Sequence, residues 1–306
     1  MNSPIYGLVL SGGRSERMQR DKAALDYHGV SQLEWTMGLL TPPHVARAFV
    51  SVRRDQGADP LRSRFACIQD VHDGLGPLAG ILAAQAAHPE VAWLVVACDL
   101  PFLDRATLLH LIAERQPDRL ATAYRSTSDA APEPLCAIYE PASRQPLLAY
   151  LERGQGKGKG KACPRSFLQR SDVALLDQPC WSALTNVNTV DEYSSAVTRL
   201  GKREQAEAQS FAPASKPDEQ GQQGKRGKHV SIQYFAALRE QVGLHEERVQ
   251  TRATTPAELY AELRERHHFS LPVESLRVAV NDEFADWAQA LADGDVVVFL
   301  PPVAGG

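Results

Sequence analysis

Directly behind the first apolar run, the chain reads Leu10-Ser11-Gly12-Gly13-Arg14-Ser15-Glu16-Arg17-Met18-Gln19-Arg20-Asp21-Lys22. Glycines 12 and 13 let backbone N–H groups come close to phosphate oxygens, and Arg14, Arg17 and Lys22 can neutralise the charge of a triphosphate. The segment is neither G-x-G-x-x-G nor a Walker A loop. At the far end, Pro301-Pro302-Val303-Ala304-Gly305-Gly306 follows the apolar run Val296 to Leu300 and places a carboxylate on a thin stalk. Such a tail extends to roughly 20 Å. Its paired glycines pass where a Cβ would clash, so another protein's narrow active site can admit it.

These groups need elements to hold them. The runs Ile5 to Leu10, Ala48 to Val52, Phe65 to Ile68 and Val91 to Ala97 read as buried strands. Leu33 to Leu40, Leu78 to Ala87 and Ala106 to Glu114 have the spacing of helices packed on a sheet. That alternation predicts an α/β domain with a mainly parallel sheet over residues 1–200, its ligands beyond the carboxyl ends of the strands. Residues 201–228 are rich in Gln, Lys, Glu and Gly, with Phe211 as the one large apolar side chain, and predict a flexible linker. From 229 to 306, strands at His229 to Phe235, Glu246 to Gln250, Leu276 to Val280 and Val296 to Leu300 surround a helix opened by Pro256, which predicts a small α+β domain.

The bulk properties narrow the partners. A chain of 306 residues with 43% hydrophobic content accommodates two cores. A net charge of -4 argues against a general nucleic-acid or anionic-membrane surface and leaves room only for a local basic loop. No apolar stretch approaches a membrane span or a signal h-region. Five cysteines without a C-x-x-C pair fit a reducing cytoplasm.

The glycine-rich segment resembles the L-x-G-G-x-S-x-R-M-G-x-D-K signature of molybdenum cofactor guanylyltransferases, within the larger nucleotidyltransferase family of Rossmann-like fold. The resemblance spans about residues 5 to 199. It implies that Leu10, Ser11, Gly12, Gly13, Arg14 and Lys22 bind the nucleotide, with Arg17 and Lys22 also catalytic. Asp70 matches the acidic nucleotide-site position, and Gly76-Pro77-Leu78-Ala79-Gly80 the loop into the next helix. Asp99, in Cys98-Asp99-Leu100-Pro101, matches a catalytic, magnesium-binding aspartate. Asn186 and Asn188, in Asn186-Val187-Asn188-Thr189, match a segment on the pterin side. Ser51 stands at a base-side position where the family commonly has asparagine, and Gln19 where it has glycine. Mg²⁺ is thus the implied cofactor, with GTP and molybdopterin as substrates. Gly154 to Lys161, alternating glycine and lysine from 156 onward, reads as a solvated loop, and Arg165 is a weaker candidate for the pterin phosphate.

The last domain resembles the sulfur-carrier subunit of molybdopterin synthase, a ubiquitin-like β-grasp protein. Tyr234-Phe235-Ala236-Ala237-Leu238-Arg239-Glu240, Val280-Asn281, Asp293-Gly294-Asp295 and the terminal PPVAGG carry the likeness. It implies adenylation of the Gly306 carboxylate and its conversion to a thiocarboxylate. Implied partners are the adenylating and sulfur-transferring enzyme, the large catalytic subunit of the synthase, a molybdenum-insertion enzyme and molybdoenzyme chaperones. Phe235, Phe299 and Leu300 read as core residues, with a partner-facing surface as the alternative. His267 and His268 read as helix-end residues. The expected protein is therefore a fusion of a guanylyltransferase and a sulfur carrier. The alternative is a cytidylyltransferase or sugar-phosphate nucleotidyltransferase whose last domain acts only as an interaction module.

Overall fold

The structure, a computed structural model, describes residues 3–12, 20–72, 74–127, 129–155, 163–210, 227–234, 238, 241–242, 244, 246–281 and 283–300. Met1–Ser126, Ala131–Gln178 and Ser182–Gln209 cluster as one compact unit. Ser210–Gly306, with the short pieces Thr127–Ala130 and Pro179–Trp181, forms the second.

The first unit is built on strands β1 (Ile5–Leu10), β2 (Arg47–Val52), β3 (Cys67–Gln69), β4 (Ala92–Ala97), β5 (Ala121–Arg125), β6 (Pro132–Tyr139) and β7 (Val173–Leu176). They form a seven-stranded sheet in the order β3-β2-β1-β4-β6-β5-β7. The left half is parallel throughout, while β6 runs antiparallel to both β4 and β5. Strand β4 is buried along its whole length because both faces of the sheet are covered. Its side chains alternate between two cores, Leu94 and Val96 in one, Trp93 and Val95 in the other. Each such aliphatic side chain contributes about 1.5–3 kcal/mol by leaving water.

Helices α1 (Gln32–Leu39), α2 (Pro77–Ala87), α3 (Arg105–Ala113), α4 (Arg144–Gln155), α5 (Pro164–Leu168) and α6 (Val190–Ser210) complete this unit. Ser31 and Glu34 close a capping box at the start of α1. Asp104 accepts from Thr107 N at the start of α3. Gly76 enters α2 at φ +55°, a conformation that L side chains rarely adopt. Helix α6 continues into the segment expected as linker. Residues 211–226 and the tail 301–306 lie outside the described residues.

In the second unit, β8 (Lys228–Tyr234), β9 (Glu246–Thr251), β10 (Arg277–Val280), β11 (Glu283–Ala285) and β12 (Val296–Leu300) form a five-stranded sheet in the order β11-β10-β12-β8-β9. The central pair β8 and β12 is parallel and the flanking pairs are antiparallel, the β-grasp arrangement. Helix α7 (Pro256–His267) supplies Leu259, Tyr260 and Leu263 to the core beneath the sheet. Thr255 caps its start by accepting from Glu258 N, and His268 ends it in the left-handed conformation.

Candidate active site

Lys22 and Asp99 come from different strand ends and meet. Lys22 opens the short 3-10 turn Lys22–Ala24, which Asp21 initiates by accepting from Ala23 N at 3.1 Å. Asp99 follows β4, the neighbour of β1. Lys22 Nζ donates to Asp99 Oδ2 at 3.1 Å and to Asn188 Oδ1 at 2.5 Å. The two charged side chains are only 18% and 22% exposed, so their pairing is less screened than on an open surface.

Local structure holds each member of this triad. Behind Asp99, His28 Nε2 lies 2.9 Å from the Pro101 carbonyl, Gln32 Nε2 donates to Leu100 O at 3.2 Å, and Trp35 Nε1 to Leu103 O at 3.4 Å. Val187 N donates to Asp99 O at 3.1 Å, and its side chain packs with Leu25, Tyr27 and Phe102. Asn188 N and Thr189 N donate to Glu192 Oε2, while Glu192 N donates back to Thr189 Oγ1, the reciprocal pattern of a helix start. Burial, with Tyr193 and Asp99 nearby, pushes the Tyr27 hydroxyl up, so it remains a neutral phenol. Burial likewise pushes the Cys98 thiol up to about 12, which makes it a packing residue and not a nucleophile.

A second group lies at the ends of β1, β2 and β3. Ser11 Oγ donates to the Ser51 carbonyl at 3.1 Å, and Ser51 Oγ donates to Asp70 Oδ1 at 2.8 Å. Arg53 donates to the Gly12 carbonyl and pairs with Asp55. Helix α2 lies close above: a Cβ on Gly80 would stand 2.3 Å from Ser51 Oγ and 2.8 Å from Leu10 Cδ2. Gly80→Ala should therefore turn Ser51 away from Asp70. The expected outcome is a several-degree fall in Tm, the scale of an overpacked contact that also loses a hydrogen bond. A thermal melt checks this, and an unchanged Tm would contradict it.

Between the two groups lies a residue that sequence reasoning did not single out. Arg62 is 1% exposed. It donates from Nε to Ser11 Oγ at 3.0 Å and from Nη2 to Ser11 O at 2.9 Å. It also meets both Asp21 oxygens, at 2.7 and 3.0 Å, and Asp59 Oδ1 at 3.2 Å. Burial works against its charge, yet Asp21 and Asp59 more than offset that and hold the guanidinium's pKa above its usual value. Its signal in the sequence is faint, since Asp59 to Arg64 reads as a polar loop.

Of the expected site residues, the structure thus gathers Lys22, Asp99 and Asn188 in one group and Ser11, Gly12, Ser51 and Asp70 in another. Leu10 is half-buried at the end of β1, and Asn186 is exposed, two residues before Asn188. Gly13, Arg14, Arg17, Gly306 and residues 156–161 of the glycine-lysine segment lie outside the described residues. Arg165 pairs with Glu133 at 3.2 Å. In the second unit Phe299 is a core residue against Tyr260 and Trp287, whereas Leu300 lies with Ala279 and Val298. His267 is a helix-end residue whose Nε2 meets Glu247 Oε1 at 2.7 Å, and Glu247 also accepts from the Tyr234 hydroxyl.

Residues 7–175 match the MobA-like NTP transferase domain, and residues 232–306 match the ThiS family. A molybdenum cofactor guanylyltransferase of Xanthomonas euvesicatoria is 38% identical over 198 residues, covering 64% of this chain and 96% of that protein. A molybdenum cofactor biosynthesis bifunctional protein of Synechocystis is 32% identical over 191 residues. That match covers 62% of this chain and 53% of the relative, so the chain spans about half of it. Among solved structures, molybdopterin-guanine dinucleotide biosynthesis protein A of Archaeoglobus fulgidus shares the fold, with a TM-score of 0.50 and 24% identity, covering 64% of this chain and 99% of that one. The chain therefore belongs to the MobA-like nucleotidyltransferases of the molybdenum cofactor guanylyltransferase type, and its residues 232–306 match the ThiS family.

Proposed function

We propose that the first unit transfers GMP from GTP to molybdenum-loaded molybdopterin, and that the second carries sulfur for molybdopterin synthase as a thiocarboxylate on Gly306. The observation that carries the first half is Lys22 held between Asp99 and Asn188 at the strand ends, next to the segment that opens with Ser11 and Gly12.

In this reaction a phosphate oxygen of the pterin attacks the α-phosphorus of GTP. The α-phosphorus bond to the bridging oxygen breaks, and pyrophosphate leaves with that electron pair. Two polyanions must approach in line, so the protein's task is positioning and charge neutralisation, with no protein nucleophile. Lys22 is placed to stabilise charge building on the departing pyrophosphate. Asn188 orients the ammonium through its side-chain oxygen, and Ser11, Ser51 and Asp70 form the nucleoside side. Asp99 supplies one carboxylate, a donor set that suits Mg²⁺ because that ion takes one or two carboxylates and completes its shell with phosphate oxygens and water. When bound there, Mg²⁺ supplies charge neutralisation at the phosphates.

For the carrier half, the support is the match of residues 232–306 to the ThiS family and the β-grasp sheet whose central strand β12 leads into the tail. A free carboxylate accepts sulfur poorly until an adenylate makes its oxygen a leaving group. Partners would then be an adenylating, sulfur-transferring enzyme and the large synthase subunit. The whole scheme places both units in molybdenum cofactor biosynthesis.

Labelled GTP tests the transfer. Label at the α-phosphate should appear in the pterin product, and label at the γ-phosphate in pyrophosphate. Release of free GMP without dependence on loaded pterin would contradict the assignment.

A further inference from the structure

We propose that Arg62 is a positioning residue for nucleotide binding and transfer, a single guanidinium that keeps the nucleoside side and the phosphate side of the site in register. The inference rests on the nucleotidyl-transfer reading above. Its basis is the complete use of the side chain. A guanidinium has five N–H donors in a fixed plane. Here Nε serves Ser11 Oγ, Nη2 serves Ser11 O and Asp21 Oδ1, and Nη1 serves Asp21 Oδ2 and Asp59 Oδ1.

Each partner passes the constraint to a different part of the site. Ser11 is the residue where β1 gives way to the glycines, and its hydroxyl also donates to the Ser51 carbonyl, one residue's backbone away from the bond between Ser51 Oγ and Asp70. Asp21 immediately precedes Lys22 and nucleates the turn that presents it to Asp99 and Asn188. Ser11, where the chain leaves β1, and Asp21, which starts the turn carrying Lys22, are therefore fastened to one plane. Asp59 Oδ1 fixes the clasp from behind, accepting from Leu61 N at 3.2 Å and Arg62 N at 2.9 Å.

A charge buried to 1% exposure is a poor way to gain stability alone, because desolvation opposes the pairing and a well-packed apolar side chain does as well. Fastening two polar segments that an apolar side chain could not bind is a task the planar fork does suit. With its donors already engaged by protein atoms, Arg62 acts through Ser11 and Asp21 and does not itself touch substrate.

The test compares Arg62→Lys and Asp21→Asn in the full chain, measuring GTP affinity, kcat and KM, Tm, and a double-mutant cycle with Lys22→Ala. Lysine keeps the charge but cannot reach both segments in one plane. Arg62→Lys should weaken GTP binding and lower kcat by about tenfold or more each, the scale of a small misplacement of reacting groups. Asp21→Asn, whose carboxylate is partly exposed, should fold and shift both in the same direction. Lys22→Ala should cost much less in the Arg62→Lys background than in the wild type. Turnover by Arg62→Lys within twofold of wild type, or losses that simply multiply in the cycle, would overturn the proposal, as would losses that disappear well below the variant's Tm. A wild-type chain that neither binds nor turns over GTP would overturn both this proposal and the reading beneath it.

Discussion

Asp99→Ala should remove nucleotidyl transfer, lowering kcat/KM by about a thousandfold or more, the scale seen when a group aimed at developing charge is lost. Two deficits combine in that variant. The carboxylate that suits a hard cation beside the phosphates is gone, and Lys22 loses the anion that fixes its ammonium at 3.1 Å. Stability should change little. The pair is about one-fifth exposed on each side, and Lys22 keeps Asn188 Oδ1 as a partner once the carboxylate is gone. The fold around Asp99 is instead held by Val187 N on its carbonyl and by the contacts of Gln32 and His28 to the following residues. A steady-state assay with a melting curve checks both halves. Metal-dependent turnover that survives in Asp99→Ala would contradict the role assigned to this carboxylate.

The second large effect concerns the other unit. Adding one residue after Gly306 should abolish sulfur loading, because adenylation needs a free carboxylate on a stalk that a narrow site admits. Nucleotidyl transfer should continue at the wild-type rate, since Lys22, Asp99 and Asn188 belong to a unit with its own cores. Mass spectrometry after co-expression with an adenylating, sulfur-transferring enzyme reads the first outcome. The wild type should gain the mass difference of oxygen replaced by sulfur, and the extended chain should not. A wild-type tail that is never converted would refute the carrier role. Loss of both activities on extension would show that the units are coupled.

How far the molecule could be read from its sequence depended on the range of the interactions. The strand at Val91 to Ala97 was legible because a strand buried on both faces is apolar throughout. Helices α1, α2 and α3 carried local stop and start signals, as with Ser31 and Glu34 or Asp104. Strand β6 was not legible, since Pro132 and Pro134 argue against a strand inside a sheet. The structure accommodates them because pairing with β4 involves only Cys136 to Tyr139, and Pro132 meets Arg125 of β5 only past a register shift. Strand β11 is short and begins with a charged residue at a sheet edge, so its pattern is faint. In the site, Lys22 and Asp99 stand in recognisable local segments. Arg62 does not, because its partners Ser11 and Asp21 lie 51 and 41 residues away, and nothing in the local polar loop announces its burial.

The most direct test of the account is pyrophosphate release by the intact chain with molybdenum-loaded pterin, comparing GTP with CTP. GTP should support turnover that depends on the pterin and on Mg²⁺, and CTP should not. Turnover with CTP in place of GTP would contradict the guanylyl assignment, and release with a sugar phosphate as acceptor in place of the pterin would contradict the placement in cofactor synthesis.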